Sequence, residues 1–295
     1  MSSAGAAGLV SDAHCPLCRS TGRAPVAQAP GFQLVRCHRC RLLYQDPLPA
    51  EGVRRHYEDV YGHDTMSERI DQRRRGLFEG FLDEVRPFGD YRLLDVGCGS
   101  GEFLALAREH GWNAEGIEVS SGGAARARRR GLVVHRDAGA LPDAGFDAVT
   151  LWNVVDFFLR PAEQMREMHR LLAPGGLVFL RTPNAAFQLA AWRLSRMVVW
   201  PPPLARLVAD AHFFQPLVWG PSTVRRLLLS AGFTDVRIWN SPVSHGDPYH
   251  GSSAARERLV TGVKGLVHLL AGALYRASHG RLTVGSSISA LARKA

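Results

Sequence analysis

Three glycines spaced GxGxG, at Gly97, Gly99 and Gly101, follow an acid at Asp95 within the run from Leu93 to Leu104. Lacking a Cβ, such residues accept tight-turn dihedrals and bring backbone N–H groups close to a ligand. The spacing departs from the GxGxxG fingerprint, in which a pyrophosphate rests on the N-terminus of the following helix. Asp95 would repel a diphosphate and attract an ammonium or a sulfonium, so the chemistry points to a nucleotide-type cofactor that carries positive charge. Glu118 ends Ala114-Glu115-Gly116-Ile117-Glu118, where an α/β fold places a carboxylate for both ribose hydroxyls. Asp137 beside the small Ala138 is suited to an adenine amino group.

A second chemistry lies near the N-terminus. Cys15-Pro16-Leu17-Cys18 and Cys37-His38-Arg39-Cys40 form two CxxC pairs, a spacing that predicts one tetrahedral Zn2+ held by four thiolates. Four thiolates close the coordination sphere, so the metal is structural and leaves His14 and His38 as bystanders. Cys98 sits inside the glycine loop, where a small side chain is wanted and no nucleophile is implied.

The elements that must position these groups read as strand and helix in alternation, the pattern of a parallel α/β sheet. Leu93–Val96, Ala114–Glu118, Val133–Ala138 and Phe146–Asn153 are expected strands. Leu171 to Leu180 reads as a helix end, a Pro174-Gly175-Gly176 turn and a fifth strand. Arg225 to Gly232 is the final helix with its glycine stop, and Val236–Trp239 the closing strand. The expected organisation is a flexible tail (1–13), a zinc ribbon (14–50), a helical lid (51–90), a cofactor-binding core (91–241) with an acceptor-side insertion (187–214), and a C-terminal amphipathic helical extension (242–295). In the lid, Arg69, Arg73, Arg74 and Arg75 read as a solvated face.

Over Leu93 to Trp239 the chain resembles the class I S-adenosylmethionine-dependent methyltransferases, whose fourth strand and helix end in an LxPGG turn. The resemblance implies a Rossmann-like α/β fold: a seven-stranded sheet with helices on both faces, here preceded by a small zinc ribbon. It also implies cofactor contacts at Asp95, Gly97, Gly99, Gly101, Glu118, Asp137 and Ala138. Relatives commonly carry HVLEH after strand four; here Asn153-Val154-Val155-Asp156-Phe157-Phe158 replaces it and both histidines are gone. Asn153 keeps a hydrogen-bonding group beside the cofactor, and the candidate bases are Asp156 and His212. Tyr57 and Tyr61 are candidates to face the pocket from the lid.

Composition bounds the rest. The 295 residues are 46% hydrophobic with net charge +9, almost all of it arginine, the lysines being Lys264 and Lys294. No run of about 20 apolar residues predicts a membrane span, and no secretory leader is evident, so a cytoplasmic enzyme is expected. Between Phe187 and Phe214, Trp192, Arg193, Arg196 and Trp200 make an acceptor wall. Leu259, Val260, Val263, Leu266, Val267, Leu270 and Leu274 recur at helical spacing, a face that docks on the core, dimerises or lies peripherally on the inner membrane surface. The leading reading is methyl transfer to a small-molecule, sugar or lipid-linked acceptor. RNA methylation with the ribbon gripping nucleic acid is the second, and a non-catalytic cofactor-binding partner protein the third.

Overall fold

The computed structural model describes residues 9–10, 13–29, 32–49, 64–85, 91–197, 214–243 and 254–295. Five parallel strands build the frame: β6 (Arg92–Val96), β7 (Asn113–Ile117), β8 (Val133–His135), β9 (Phe146–Trp152) and β10 (Leu172–Pro183), the last beside β9. The helices between them are α2 (Glu102–Glu109), α3 (Ser121–Arg129) and α4 (Pro161–Leu171), preceded by α1 (Asp64–Glu84). Later come α5 (Ala185–Met197), α6 (Pro221–Ser230), β12 (Phe233–Asn240), α7 (Ala254–Ala277) and β13 (Ser287–Lys294).

The seven-stranded sheet runs β12-β13-β10-β9-β6-β7-β8. Side-chain alternation along its strands explains why both faces are covered. Leu94, Val149, Leu151, Val178 and Leu180 enter one core with Met165, Met168, Val224 and Leu227 from α4 and α6. Leu93, Ala148 and Phe179 enter the other with Phe78, Phe81, Phe103 and Leu104 from α1 and α2. The Pro174-Gly175-Gly176 turn survives as a register shift within β10, between Leu172 and Leu177, with Gly175 at φ 77.

Two expectations need correction. The segment 242–295 is not a helical extension after a finished sheet: β13 pairs antiparallel with both β10 and β12, so the chain's last strand lies between them. Its signal was weak because Ser287-Ile288-Ser289-Ala290-Leu291-Ala292 combines small residues with few β-branched ones. The ribbon, for its part, reaches beyond the expected bounds 14–50. The strands β2 (Arg23–Ala29), β3 (Phe32–Cys37) and β4 (Leu43–Asp46) are joined by β11 (Leu217–Val218) from far along the chain, in the order β11-β4-β3-β2. Gln45 reinforces that junction, its backbone N–H donating to the Pro216 carbonyl and its Nε2 to the Phe214 carbonyl, at 2.9 and 3.1 Å. A short antiparallel pair, β1 (Leu9–Val10) with β5 (Leu48–Pro49), forms a separate two-stranded sheet.

Candidate functional site

Asp95, next to last in β6, is buried, 2% exposed, and Thr150 on neighbouring β9 donates its hydroxyl to Oδ1 at 2.7 Å. That bond fixes the carboxylate at the carboxyl edge of the sheet, where ligands of open α/β sheets bind. The loop that follows has Gly97, Gly99 and Gly101 at φ 73, 56 and 82. A Cβ on Gly97 would lie 2.6 Å from Val154 Cγ2, and one on Gly101 2.3 Å from Leu132 Cδ1, so glycine is demanded by dihedral and by space. Cys98 turns its Sγ toward Gly116 on β7, where a Cβ would come within 2.5 Å, which accounts for both small residues.

Glu118 follows β7 and is 3% exposed. Its Oε2 accepts the Gly99 N–H and its Oε1 the Ser120 N–H, each at 2.7 Å. Both carboxylate oxygens are therefore held in place by backbone N–H groups, one from the glycine loop and one from the turn after β7. Asp137, just past β8, is exposed and accepts the Gly139 N–H at 2.9 Å, with Ala138 half-buried beside it. Asn153 leaves β9 in a left-handed conformation, φ 57, and its Oδ1 accepts from Arg181 Nη1 at 2.8 Å.

Asp156, in the 3-10 turn Val155–Phe157, is 1% exposed and faces inward. Thr182 Oγ1 lies 2.5 Å from its Oδ1, while Oδ2 is buried with no hydrogen-bond partner among the described residues. Burial pushes its pKa up to about 7, against the opposing pull of the Thr182 hydrogen bond and the Arg181 charge. His212, Tyr57 and Tyr61 lie outside the described residues.

Sequence reasoning missed three residues. Arg74 is not on a solvated face: it is 6% exposed and lines the cleft over the glycine loop together with Phe78, Asp95, Gly97, Gly99, Phe103 and Trp152. Its neighbour Arg75 is the exposed one, pairing with Glu79 and Glu102. The clue was available in the apolar residues Phe78 and Phe81 one and two turns on, which fix which side of α1 faces the core. Trp152 packs edge-on against Phe78 and Phe81, closing α1 onto the sheet. Arg181, 5% exposed on β10, donates to Ser241 Oγ at 2.9 Å as well as to Asn153. No local pattern marks a buried arginine inside a strand.

In the ribbon, Cys15, Cys18, Cys37 and Cys40 bring their Sγ atoms within 4.8 Å of one another. Cys15–Cys40 and Cys18–Cys37 are 3.5 Å apart, too far for the ~2.05 Å of a disulfide. Four thiolates at ~2.3 Å from one tetrahedral ion stand ~3.8 Å apart, so the donor set fits zinc. The two knuckles repeat one backbone pattern: Arg19 and Arg41, each just after the second cysteine, are both left-handed, at φ 60 and 68. Between ribbon and core, Pro25, Val26, Ala27, Gln28 and Gln33 face Trp192 and Arg196 of α5 across a groove of about 310 Å3. The guanidinium of Arg196 lies 5.5 Å from the Trp192 ring centre.

Comparison with known proteins accords with this geometry. Ubiquinone biosynthesis O-methyltransferase of Ruegeria pomeroyi is 36% identical over 118 residues, 37% of this chain and 48% of the relative. Its namesake in Pseudomonas aeruginosa UCBPP-PA14 is 31% identical over 115 residues, 35% of this chain and 49% of that one. The chain thus spans about half the length of these curated relatives. Among solved structures, the complex of the Haloferax volcanii Trm112 methyltransferase activator with a putative methyltransferase matches with TM-score 0.55 and 14% identity, covering 80% of this chain and 96% of that one. Haemonchus contortus phosphoethanolamine N-methyltransferase 2, solved with S-adenosyl-L-methionine, matches with TM-score 0.54 and 16% identity over 85% of this chain and 62% of that one. These structural likenesses speak for the fold. The methyltransferase-domain family profile matches residues 61–238, more than half of the chain. With the glycine loop, the strand order and that match in agreement, the chain belongs to the methyltransferase-domain family.

Proposed function

We propose that this protein transfers a methyl group from S-adenosylmethionine to a small-molecule, sugar or lipid-linked acceptor in biosynthesis. The observation that carries the reading is the left-handed glycine loop held between two buried acids, Asp95 and Glu118, at the carboxyl edge of the sheet. When bound, S-adenosylmethionine supplies a methyl carbon activated by its sulfonium, and an acceptor nucleophile displaces the thioether. Glu118 accepts the ribose hydroxyls, and Asp137 with Ala138 borders the adenine. Asp95 takes the ammonium of the amino-acid end. Arg74, the cationic side chain lining the cleft, takes the carboxylate.

The chain's own contribution to rate is positional: it holds two reactants in line and excludes water. Asp156, with a pKa near neutrality, is suited to receive the proton an acceptor hydroxyl gives up, relayed through Thr182. Asn153 is oriented toward the cofactor by Arg181. The groove between the ribbon and α5 holds the part of the acceptor remote from the reacting atom, with Trp192 as its stacking surface. Zn2+ at Cys15, Cys18, Cys37 and Cys40 shapes that groove and takes no part in the chemistry.

The test supplies the full-length protein with methyl-labelled S-adenosylmethionine and fractionated extract. Label in small-molecule or organic-extractable fractions supports the reading. Label released by nuclease would make RNA the acceptor. Cofactor binding without transfer to any fraction would leave a binding protein. Glu118→Ala should weaken cofactor binding at least about tenfold by calorimetry, in line with loss of a charged hydrogen-bonding partner. Unchanged affinity in that variant would remove Glu118 from the site.

A further inference from the structure

Helix α7 has one face engaged and one bare. Ala271 is 1% exposed, and its carbonyl accepts from Asn240 Nδ2 at 3.1 Å, so the helix is already docked beside β12. On the other side Leu266, Leu269, Leu270 and Leu274 are 60, 69, 58 and 47% exposed. Their spacing of three, four and eight residues from Leu266 places them on one stripe.

The apolar surface continues beyond the helix. Leu282 and Val284 are exposed in the connection to β13. Asn184 Nδ2 holds that connection by donating to the Thr283 and Gly285 carbonyls at 2.9 and 3.0 Å. Asn184 directly follows β10, so the apolar surface reaches the rim of the sheet on which the cofactor cleft opens.

Charge narrows the occupant. Arg276, His279 and Arg281 are exposed alongside the leucines, and from Arg258 to Ala295 the chain has no aspartate or glutamate. A second copy seated face to face would bring these cations against their own kind, as a two-fold interface pairs each patch with itself. RNA would satisfy the cations and leave the leucines without a role. No helix among the described residues is long and apolar enough to cross a membrane. An apolar stripe rimmed by arginine matches the design of helices that lie in the headgroup region of an anionic bilayer.

We propose that the α7 stripe and the connection bearing Leu282 and Val284 dock the protein on an anionic lipid surface. The leucines enter the acyl boundary, and Arg276 and Arg281 meet lipid phosphates. The carboxyl edge of the sheet then faces the bilayer, within reach of an acceptor anchored there.

The test is co-sedimentation of the full-length protein with vesicles of phosphatidylcholine, alone and with phosphatidylglycerol added. The protein should pellet with the anionic vesicles, and raising salt should weaken the binding. Leu269→Asp with Leu270→Asp, and separately Arg276→Glu with Arg281→Glu, should each lower the partition constant at least about tenfold. Far-UV circular dichroism and the thermal midpoint should stay unchanged, since all four side chains are exposed. Three results would overturn the proposal: wild type left in the supernatant, the leucine variant partitioning like wild type, or a dimer in sedimentation velocity that the leucine variant dissolves while no vesicle binds. The readout is partition rather than turnover, so its failure leaves the methyl-transfer reading standing, and the converse holds.

Discussion

Asp156 and Thr182 share a proton problem that sets a pH dependence. The single hydroxyl hydrogen of Thr182 faces two acceptors, Asp156 Oδ1 at 2.5 Å and the Pro183 carbonyl at 3.3 Å. A protonated Asp156 resolves the conflict by donating to Thr182 Oγ1, which then donates to Pro183. That agrees with a pKa pushed up to about 7 from its ordinary 3.8 by burial. The sign follows from linkage: as pH rises from about 4 to 7 the unfolded chain releases this proton while the folded chain keeps it, so stability falls, and the penalty is complete above about 7. Asp156→Asn should therefore gain on wild type as pH rises across that window, by at most about 4 kcal/mol. Urea unfolding at several pH values measures it, and a pH-independent difference would contradict the assignment. The glycine loop offers a second test at this scale. Gly97→Ala meets a left-handed backbone, costing roughly 1–2 kcal/mol, and a clash with Val154 Cγ2. Adding Val154→Ala should recover the steric part of the lost cofactor affinity and leave the backbone part. Full recovery would show that the left-handed conformation carries no cost.

At the scale of elements the ribbon and the core share β11, and this links metal to site. Two residues after Leu217, Trp219 is fully buried and its indole N–H donates to the Val155 carbonyl at 3.2 Å, next to Asp156. Loss of the thiolate cluster, by chelation or by Cys37→Ser, should lower amide-exchange protection at 43–46 and 217–219 and leave β7 unaffected. Equal loss in β7 would mean that the ribbon is required for the whole fold; no loss at 217–219 would mean that β11 is held by the core alone. Legibility followed the same physics. Strands β6 and β9 were readable because buried apolar runs bounded by glycine or polar residues have few alternative interpretations, whereas β7, Asn113-Ala114-Glu115-Gly116-Ile117, has no such run and was placed by the acid Glu118 that follows it. The cysteine spacing was readable because metal geometry restricts it. The placement of Arg74 was legible only in part: Phe78 and Phe81 mark its side of α1 as the core side, but nothing in the helix says that this side covers the glycine loop. Pairing of Leu217–Val218 with Leu43–Tyr44 was beyond reach, since nothing in two residues specifies a partner so distant in sequence.

Across the whole molecule the family match ends at residue 238, yet the sheet is completed only by residues 287–294. Strand β13 is the sole bridge between β10 and β12 in the strand order, hydrogen-bonded along both. Ile288, Ala290 and Ala292 are 0, 0 and 1% exposed, and Lys294 Nζ donates to the Leu172 carbonyl at 2.7 Å. Removing this strand exposes two inner edges at once and opens the core beneath them, a far larger loss than trimming an edge strand. A chain stopped after Val284 should therefore lack a cooperative thermal transition and be cleaved rapidly by protease, although it retains every residue proposed to touch the cofactor. A synthetic peptide covering 285–295, added in excess, should restore protection, because the vacated slot offers backbone partners on both sides. If the shortened chain melts cooperatively and binds S-adenosylhomocysteine like the full chain, β10 and β12 must be able to close directly on each other, and β13 would be an ornament of the sheet rather than its keystone.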